Sequence, residues 1–522
     1  MAERSESETS QQQSLGFHQA LHRYLSRWYE TLSEPHILAV LWLAFAMTCM
    51  KKWEPGGNID TIWYAAVAKN VWRTGDFFHF YISRYYFDQI LDHMPLTYWI
   101  VGGLFKLFHP TDFVARLYPI FCSFTSYIVL YNIGRIARDK NFGLVAVFMY
   151  ALTLGASKWN GSLLQDIPLT LCFLACFLCT IKAFLGSSRS FYGAGFFFAV
   201  GILTKGPIIG AFPLALIIFL VLKRNQGREF AIYKNRHFFG GILFSLALLG
   251  LLFLPQLSFD GINVYSAFIK YKASYQDKAE SFSRYFAYGE VIFTASFLTL
   301  PFFFWSILRL IQRKSATVLQ RSTLTFALIL SLCIVVPLSF FRVKFPHYML
   351  SLYPFLALIA AESVDSYLRN TSFNLARFVR TISMLAVCIF VFLPIKITGG
   401  RSKETLNLVN LVKLDSDIEK KDVYFYGTYY DGMDMFQSFK FYADIDLHDV
   451  KPGDEMSFDL KKAYVIVPKE RWPAKISGRD IKQDSDCFAF NSVYCLVTDS
   501  NAVRFHLPNL KFPHEIYSPQ EL

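Results

Sequence analysis

Two aspartates and a set of cations are the residues in this chain best suited to chemistry. Asp60 is followed one turn later by Tyr64, and then by Arg84 and His93. Asp166 stands in LeuLeuGlnAspIleProLeu (163–169) and Lys205 in LeuThrLysGlyPro (203–207). Lys344 and Tyr348 share ArgValLysPheProHisTyr (342–348). A carboxylate beside phosphate-binding cations suits displacement at a sugar carbon whose leaving group is a phosphate. The carboxylate takes the proton of the attacking hydroxyl, while Lys and Arg stabilise charge growing on the departing phosphate. Both aspartates also have a plainer role, because each precedes a run that reads as a helix start, Pro-led in the case of Asp166. Lys205 is the sharpest of the cations. It lies between two short apolar arms, where an unpaired charge is expensive.

The elements that must position these residues are membrane spans. The chain has 522 residues, 53% of them hydrophobic and 18% aromatic, with a mean hydropathy of +0.31. Apolar runs recur as far as residue 398, a pattern of polytopic α-helical membrane proteins rather than of soluble domains. Expected spans are 35–50, 113–133, 141–157, 167–185, 191–204, 207–222, 239–257, 290–310, 322–340, 347–362 and 379–397, about eleven crossings of the ~20-residue kind. Residues 95–108 are apolar but short and carry Lys106, so they read as a helix lying along the outer interface. Lys and Arg mark the inside loops: Arg135, Arg138 and Lys140; Arg189; Lys223 to Arg236; Arg309 to Arg321; and Arg369 to Arg380. The candidate residues then fall together on the outer face. The net charge of +12 belongs to those inside loops and to anionic headgroups, so no nucleic-acid partner is inferred.

Three regions follow. Residues 1–34 are polar and then amphipathic, a cytoplasmic surface segment leading into an uncleaved first span. Residues 35–398 are the transmembrane body. Residues 399–522 change to alternating strands at 422–427, 463–468 and 487–497, a small α/β domain outside the membrane. Cys487 and Cys495 flank a hairpin there, either as a disulfide or as two thiols. Cys172, Cys176 and Cys179 share a helix face without His or carboxylate neighbours and read as packing residues. The stretch 258–289 interleaves Tyr with Lys and Arg, which suits either a sugar-covering lid or an interfacial aromatic belt.

The landmarks occur in a fixed order: Asp60 with Tyr64, HisMetProLeuThrTyrTrp (93–99), AlaArgLeuTyrPro (115–119), then the motifs around Asp166, Lys205 and Lys344. In this order they resemble the GT-C glycosyltransferases of the aminoarabinose transferase and protein O-mannosyltransferase type, over residues 55–360. The resemblance implies a polyprenyl-phosphate-linked sugar donor, a glycolipid or protein acceptor, and transfer with inversion. It also implies a multi-pass protein of the bacterial inner membrane with its site facing the periplasm. By position it makes Asp60 and Asp166 the acidic pair and places Lys205, Lys344 and Tyr348 near the lipid phosphate. HisMetPro replaces the family's usual His or Lys followed by two prolines, so His93 or Arg84 takes the place of a lysine contact. Thr61 stands where the family often has a second first-loop acid, which removes one carboxylate ligand for a divalent cation; no cofactor or metal ligand is assigned. A transporter or flippase of a lipid-linked anionic glycan would also want outer-face cations, but it would be expected to show internal repeats and midplane sites. The sequence shows neither.

Overall fold

The computed structural model describes residues 34–49, 59–75, 77, 80–82, 94–223, 235–260, 286–312, 317–340 and 344–392. In the C-terminal region it describes 403–413, 422–427, 433–450, 460, 463–471, 473–476, 479–483, 486–490, 493–498 and 505–506. The body is a bundle of helices. In order they are α1 (Pro35–Cys49), α2 (Ile59–Thr74), α3 (Leu96–Phe108), α4 (Asp112–Ala137), α5 (Lys140–Ala151), α6 (Leu154–Trp159) and α7 (Asp166–Phe184). After α8 (Ser190–Lys205), α9 (Ala211–Lys223) and α10 (Arg236–Asp260) come α11 (Ala287–Ser296), α12 (Leu300–Ile311), α13 (Val318–Ser339), α14 (Tyr353–Leu368) and α15 (Leu375–Phe392). Helix starts follow local capping chemistry. Thr111, Asp139 and Thr317 accept the amides of Val114, Phe142 and Gln320 at 3.2, 3.0 and 3.0 Å, satisfying donors a first turn leaves free.

Helices occupy every expected crossing. Among the described residues α4, α7, the α8–α9 stretch and α13 are long and apolar enough to span a membrane by length and composition. Three expectations change, one being 347–362, which starts with the 3-10 turn Pro346–Met349 before α14. The run 141–157 is broken into α5 and α6, and 290–310 is the pair α11–α12, bent by 103°. Pro301, in the first turn of α12, opens the second arm, since a proline there lacks only an amide that would go unpaired anyway.

Ser190–Lys223 is helical over 34 residues. Drawn straight it would run ~50 Å, well beyond a ~30 Å hydrocarbon core. It is folded instead. Gly206 has φ 73°, and a Cβ added at Gly201 would meet the side chain of Ile209 at 2.9 Å. Phe219 of α9 then reaches Phe184 at the far end of α7. Both arms therefore run beside α7, and Lys205 sits at the turn, as the sequence predicts.

Two of the loops expected inside, 135–140 and 369–380, meet at one end of the bundle. Arg138 pairs with Asp365 at 2.7 Å, and Arg369 with Asp365 at 2.9 Å and with Asp139. Lys140 pairs with Glu34 at 2.9 Å. The opposite end holds α2 and α3, packed on each other. Gly102 permits that approach, because a Cβ there would fall 1.9 Å from the indole of Trp72. Trp72 donates to the carbonyl of Trp99 at 3.2 Å, and Asn70 to those of Tyr81 and Ile82 at 3.0 and 2.8 Å.

The C-terminal region adds α16 (Lys403–Lys413), β1 (Asp422–Tyr426), α17 (Met433–Ser438), β2 (Leu447–Val450), β3 (Ala463–Pro468), β4 (Ala474–Ile476), β5 (Arg479–Ile481), β6 (Ala489–Phe490), β7 (Tyr494–Val497) and β8 (Phe505–His506). A six-stranded sheet has the order β2-β1-β3-β7-β6-β8, parallel across β2-β1-β3 and antiparallel across β3-β7-β6. Period-two alternation puts Val423, Phe425, Tyr464 and Ile466 on the face packed by α16 and α17. Val465, Val467 and Val497 face the β4–β5 hairpin. Cys487 and Cys495 are joined in a disulfide beside β6 and β7, which resolves the choice left by the sequence.

Candidate active site

The site forms where three helix ends and one turn meet at the end of the bundle that carries α2 and α3. Asp166 begins α7 and is 2% exposed. Its carboxylate does not cap its own helix. Oδ2 instead accepts from Lys205 Nζ, the last residue of α8, at 2.5 Å. The hairpin at Gly206 and the start of α7 exist in this register to bring those two groups together. Removing one partner of such a buried pair strands the other charge and costs ~3–5 kcal/mol. Lys205 Nζ also lies over the ring of Tyr348, 4.2 Å from its centroid, a cation–π contact that holds the ammonium between carboxylate and arene.

Tyr348 belongs to the 3-10 turn Pro346–Met349, which lies between α13 and α14. His347 in the same turn is buried. Its Nε2 is 3.8 Å from Asp166 Oδ2, the oxygen that Lys205 already holds. The imidazole is stacked on Phe345 at 5.3 Å and meets Trp159 edge-on at 5.7 Å. Burial lowers the proton affinity of His347; Asp166 and, more weakly, Asp60 raise it, and Lys205 lowers it. The net effect lowers the proton affinity of the imidazole below its ordinary value.

Asp60 lies in the first turn of α2, where the helix N-terminus favours a carboxylate. Tyr64 follows on the same face. It is buried, with its ring 6.0 Å from that of Tyr98, which in turn packs 5.0 Å from Phe80. Burial first, then the neighbouring Tyr98, Asp60, Asp166 and Tyr348, push the Tyr64 phenol well above its usual value. Tyr64 is therefore a neutral hydroxyl within electrostatic range of both aspartates, and His347 feels both as well.

Of the residues singled out from sequence, Asp60, Tyr64, Asp166, Lys205 and Tyr348 come together. Lys344 is half-buried, four residues before Tyr348 on the chain segment entering the turn. Arg84 and His93 lie outside the described residues, as does most of 258–289. Sequence reasoning gathers His347 with the outer-face groups without giving it a role, and leaves Trp159 and Tyr98 unassigned. His347 carried a signal, since it adjoins Tyr348 after a proline, whereas Trp159 and Tyr98 have none apart from their neighbours. Thr61, the residue in place of a second first-loop acid, is buried. Asp166 is engaged by Lys205, and among the described residues no three His, Cys, Asp or Glu side chains are grouped to hold a metal ion.

The sequence model of the dolichyl-phosphate-mannose-protein mannosyltransferase family matches residues 92–258. Two uncharacterized proteins of Aquifex aeolicus are each 26% identical, over 347 and 325 residues. These matches cover 64% and 61% of this chain, and 64% and 70% of the relatives, so the chain spans slightly less than two thirds of the first. Among solved structures the fold is similar to that of ArnT from Cupriavidus metallidurans. The apo form has a TM-score of 0.60 at 16% identity, covering 91% of this chain and 98% of that one. The form bound to undecaprenyl phosphate has a TM-score of 0.58 at 15% identity, covering 84% and 93%. The oligosaccharyltransferase AglB from Archaeoglobus fulgidus, in complex with an inhibitory peptide and a dolichol-phosphate, is similar at a TM-score of 0.51 and 12% identity, over 85% and 70%. The bundle agrees with these over most of its length, so the chain is a multi-pass membrane protein that shares their GT-C fold, and the stretch similar to the mannosyltransferase family runs across α3 to α10.

Proposed function

We propose that the chain is a membrane glycosyltransferase that moves a sugar from a polyprenyl-phosphate donor to a hydroxyl of a glycolipid or protein acceptor. The observation that carries this reading is the buried Asp166–Lys205 pair, set against Asp60, Tyr64 and Tyr348 at the bundle end that faces the C-terminal sheet domain. An acceptor oxygen attacks the anomeric carbon as the bond from that carbon to the phosphate oxygen breaks on the opposite side. In-line displacement inverts the configuration. The acceptor's proton passes to the Asp60 carboxylate. Lys205 and Lys344 stabilise the charge that collects on the departing polyprenyl phosphate, and the neutral Tyr64 hydroxyl orients the sugar or the carboxylates around it.

Neighbours of the same fold support a lipid-linked phosphate as ligand, since the ArnT structure holds undecaprenyl phosphate and the AglB structure a dolichol-phosphate and a peptide. The Cys487–Cys495 disulfide in the sheet domain suits an oxidising compartment. That, with the cationic loops at the other end, favours a bacterial inner membrane with the site on the periplasmic side. The test is transfer from a radiolabelled polyprenyl-phosphate sugar in membrane vesicles. Asp60→Asn should lower transfer ~10²–10⁴-fold at unchanged abundance. Full activity would remove Asp60 from the mechanism.

A further inference from the structure

Two side chains address one buried oxygen of Asp166. Lys205 holds Oδ2 at 2.5 Å, and His347 Nε2 waits 3.8 Å away, beyond hydrogen-bond reach. The proposed function needs the Lys205 charge on a phosphate. If Lys205 turns to an incoming anion, Asp166 loses its partner while remaining in a buried place, which is costly unless another cation replaces it. Among the described residues, His347 is the other titratable group that addresses this oxygen.

We propose that His347 is a positioning residue that takes over Asp166 as a protonated imidazolium when an anionic lipid headgroup draws Lys205 away. The inference rests on the functional reading above and deepens it by coupling headgroup binding to uptake of a proton. No covalent bond changes: one proton moves from solvent to the His347 ring, and the ion pair changes partner from Lys205 to His347.

The surroundings favour the exchange. Lys205 lowers the proton affinity of His347, so its departure raises it, and Asp166 and Asp60 both act in the same direction. The rings of Phe345 and Trp159 fix the imidazole in place, so closing on Oδ2 takes a small movement rather than a new rotamer search. The groups facing His347 are Asp166 on α7, Lys205 on α8 and Asp60 on α2, with Tyr348 and Lys344 on its own segment. Lys158 lies over the outer ring of Trp159, and Tyr288 of α11, which packs against the turn, is in electrostatic range of Asp166.

The experiment is calorimetric titration of the full-length protein in detergent with undecaprenyl phosphate near pH 7. Repeating it in buffers of different ionisation enthalpy gives the number of protons exchanged. Any proton exchanged by the phosphate itself is common to the wild type and His347→Gln, both of which keep Lys205. The wild type should take up close to one proton more than His347→Gln. Lys205→Met, which leaves His347 already paired with Asp166 before the lipid arrives, should lose the same extra proton, so the reading does not hang on one variant folding. Equal proton numbers in the wild type and a folded variant of either kind would overturn the exchange while leaving the functional reading intact. Absence of any undecaprenyl phosphate binding to the wild type would overturn both.

Discussion

At the scale of single residues, the account depends on one carboxylate and its ammonium. Asp166 is 2% exposed and its Oδ2 is engaged by Lys205. Removing both groups that address it, Lys205→Ala with His347→Gln, should therefore lower thermal stability in detergent by ~3–5 kcal/mol, because it leaves the aspartate charged and unpaired. Adding Asp166→Asn to that variant should recover much of the loss, since no bare charge remains, while sugar transfer stays low. If the double variant is as stable as the wild type, the aspartate is solvated rather than buried. Sequence made both residues visible as charges at helix ends. It could not show that they pair, because 39 residues and a reversal of direction separate them. His347 was visible for the same reason as Tyr348, but its approach to the same oxygen exists only in the folded molecule.

At the scale of elements, α2 stands between two bodies. Ile62, Ala65 and Ala66 face the bundle core, while Trp63 packs into the core of the sheet domain. Lys69 donates to the carbonyl of Phe441 at 3.1 Å, and Arg73 pairs with Asp444. Tyr442 donates to Asp112 at 2.8 Å, so the domain grips the start of α4 as well. The helix that carries Asp60 is thus fixed from both sides. Burial, followed by Arg73, Lys440 and Lys413, lowers the Lys69 pKa to about 8. In the unfolded chain a lysine titrates near ~10.4, so the unfolded state binds more protons between those values. The penalty for the charged form is present in full below about pH 8 and fades as pH rises toward ~10.4, so stability should climb across that window. Lys69→Met should flatten the rise, as read by thermal unfolding against pH. A slope unchanged by the substitution would show that Lys69 is solvated. The bend of 103° between α11 and α12 was not legible from hydropathy, because no charged residue interrupts 291–308; Pro301, in the first turn of α12, is its local mark. The hairpin at Lys205 was legible, because Gly206 and Pro207 interrupt the apolar run on either side.

At the scale of the whole molecule, the charge pattern and the packing agree. Arg138, Lys140 and Arg369, from loops read as inside, converge with Glu34, Asp139 and Asp365 at one end, and the candidate site and the sheet domain occupy the other. Helix α3 lies with α2 at that second end, and Leu107 near its tip is 73% exposed. Leu107→Cys should be labelled by a membrane-impermeant maleimide from outside intact cells. Labelling only from the cytoplasmic side would invert the topology. Sequence carried the spans and the two-part organisation because hydrophobic run length and strand alternation are local properties. The order of the strands, β2-β1-β3-β7-β6-β8, was beyond it, since parallel pairing of β1 with β2 and β3 is set by crossovers rather than by neighbours in sequence.

The central claim is that a sugar leaves a lipid phosphate beside Asp60, Asp166 and Lys205. Its most direct test is mass spectrometry of envelope glycolipids and glycoproteins from cells lacking the gene, complemented with either the wild-type chain or Asp60→Asn. The account predicts that one sugar mass disappears from one class of molecule, returns with the wild type, and stays absent with Asp60→Asn expressed at the same level. Profiles identical with and without the gene, or full restoration by Asp60→Asn, would contradict it.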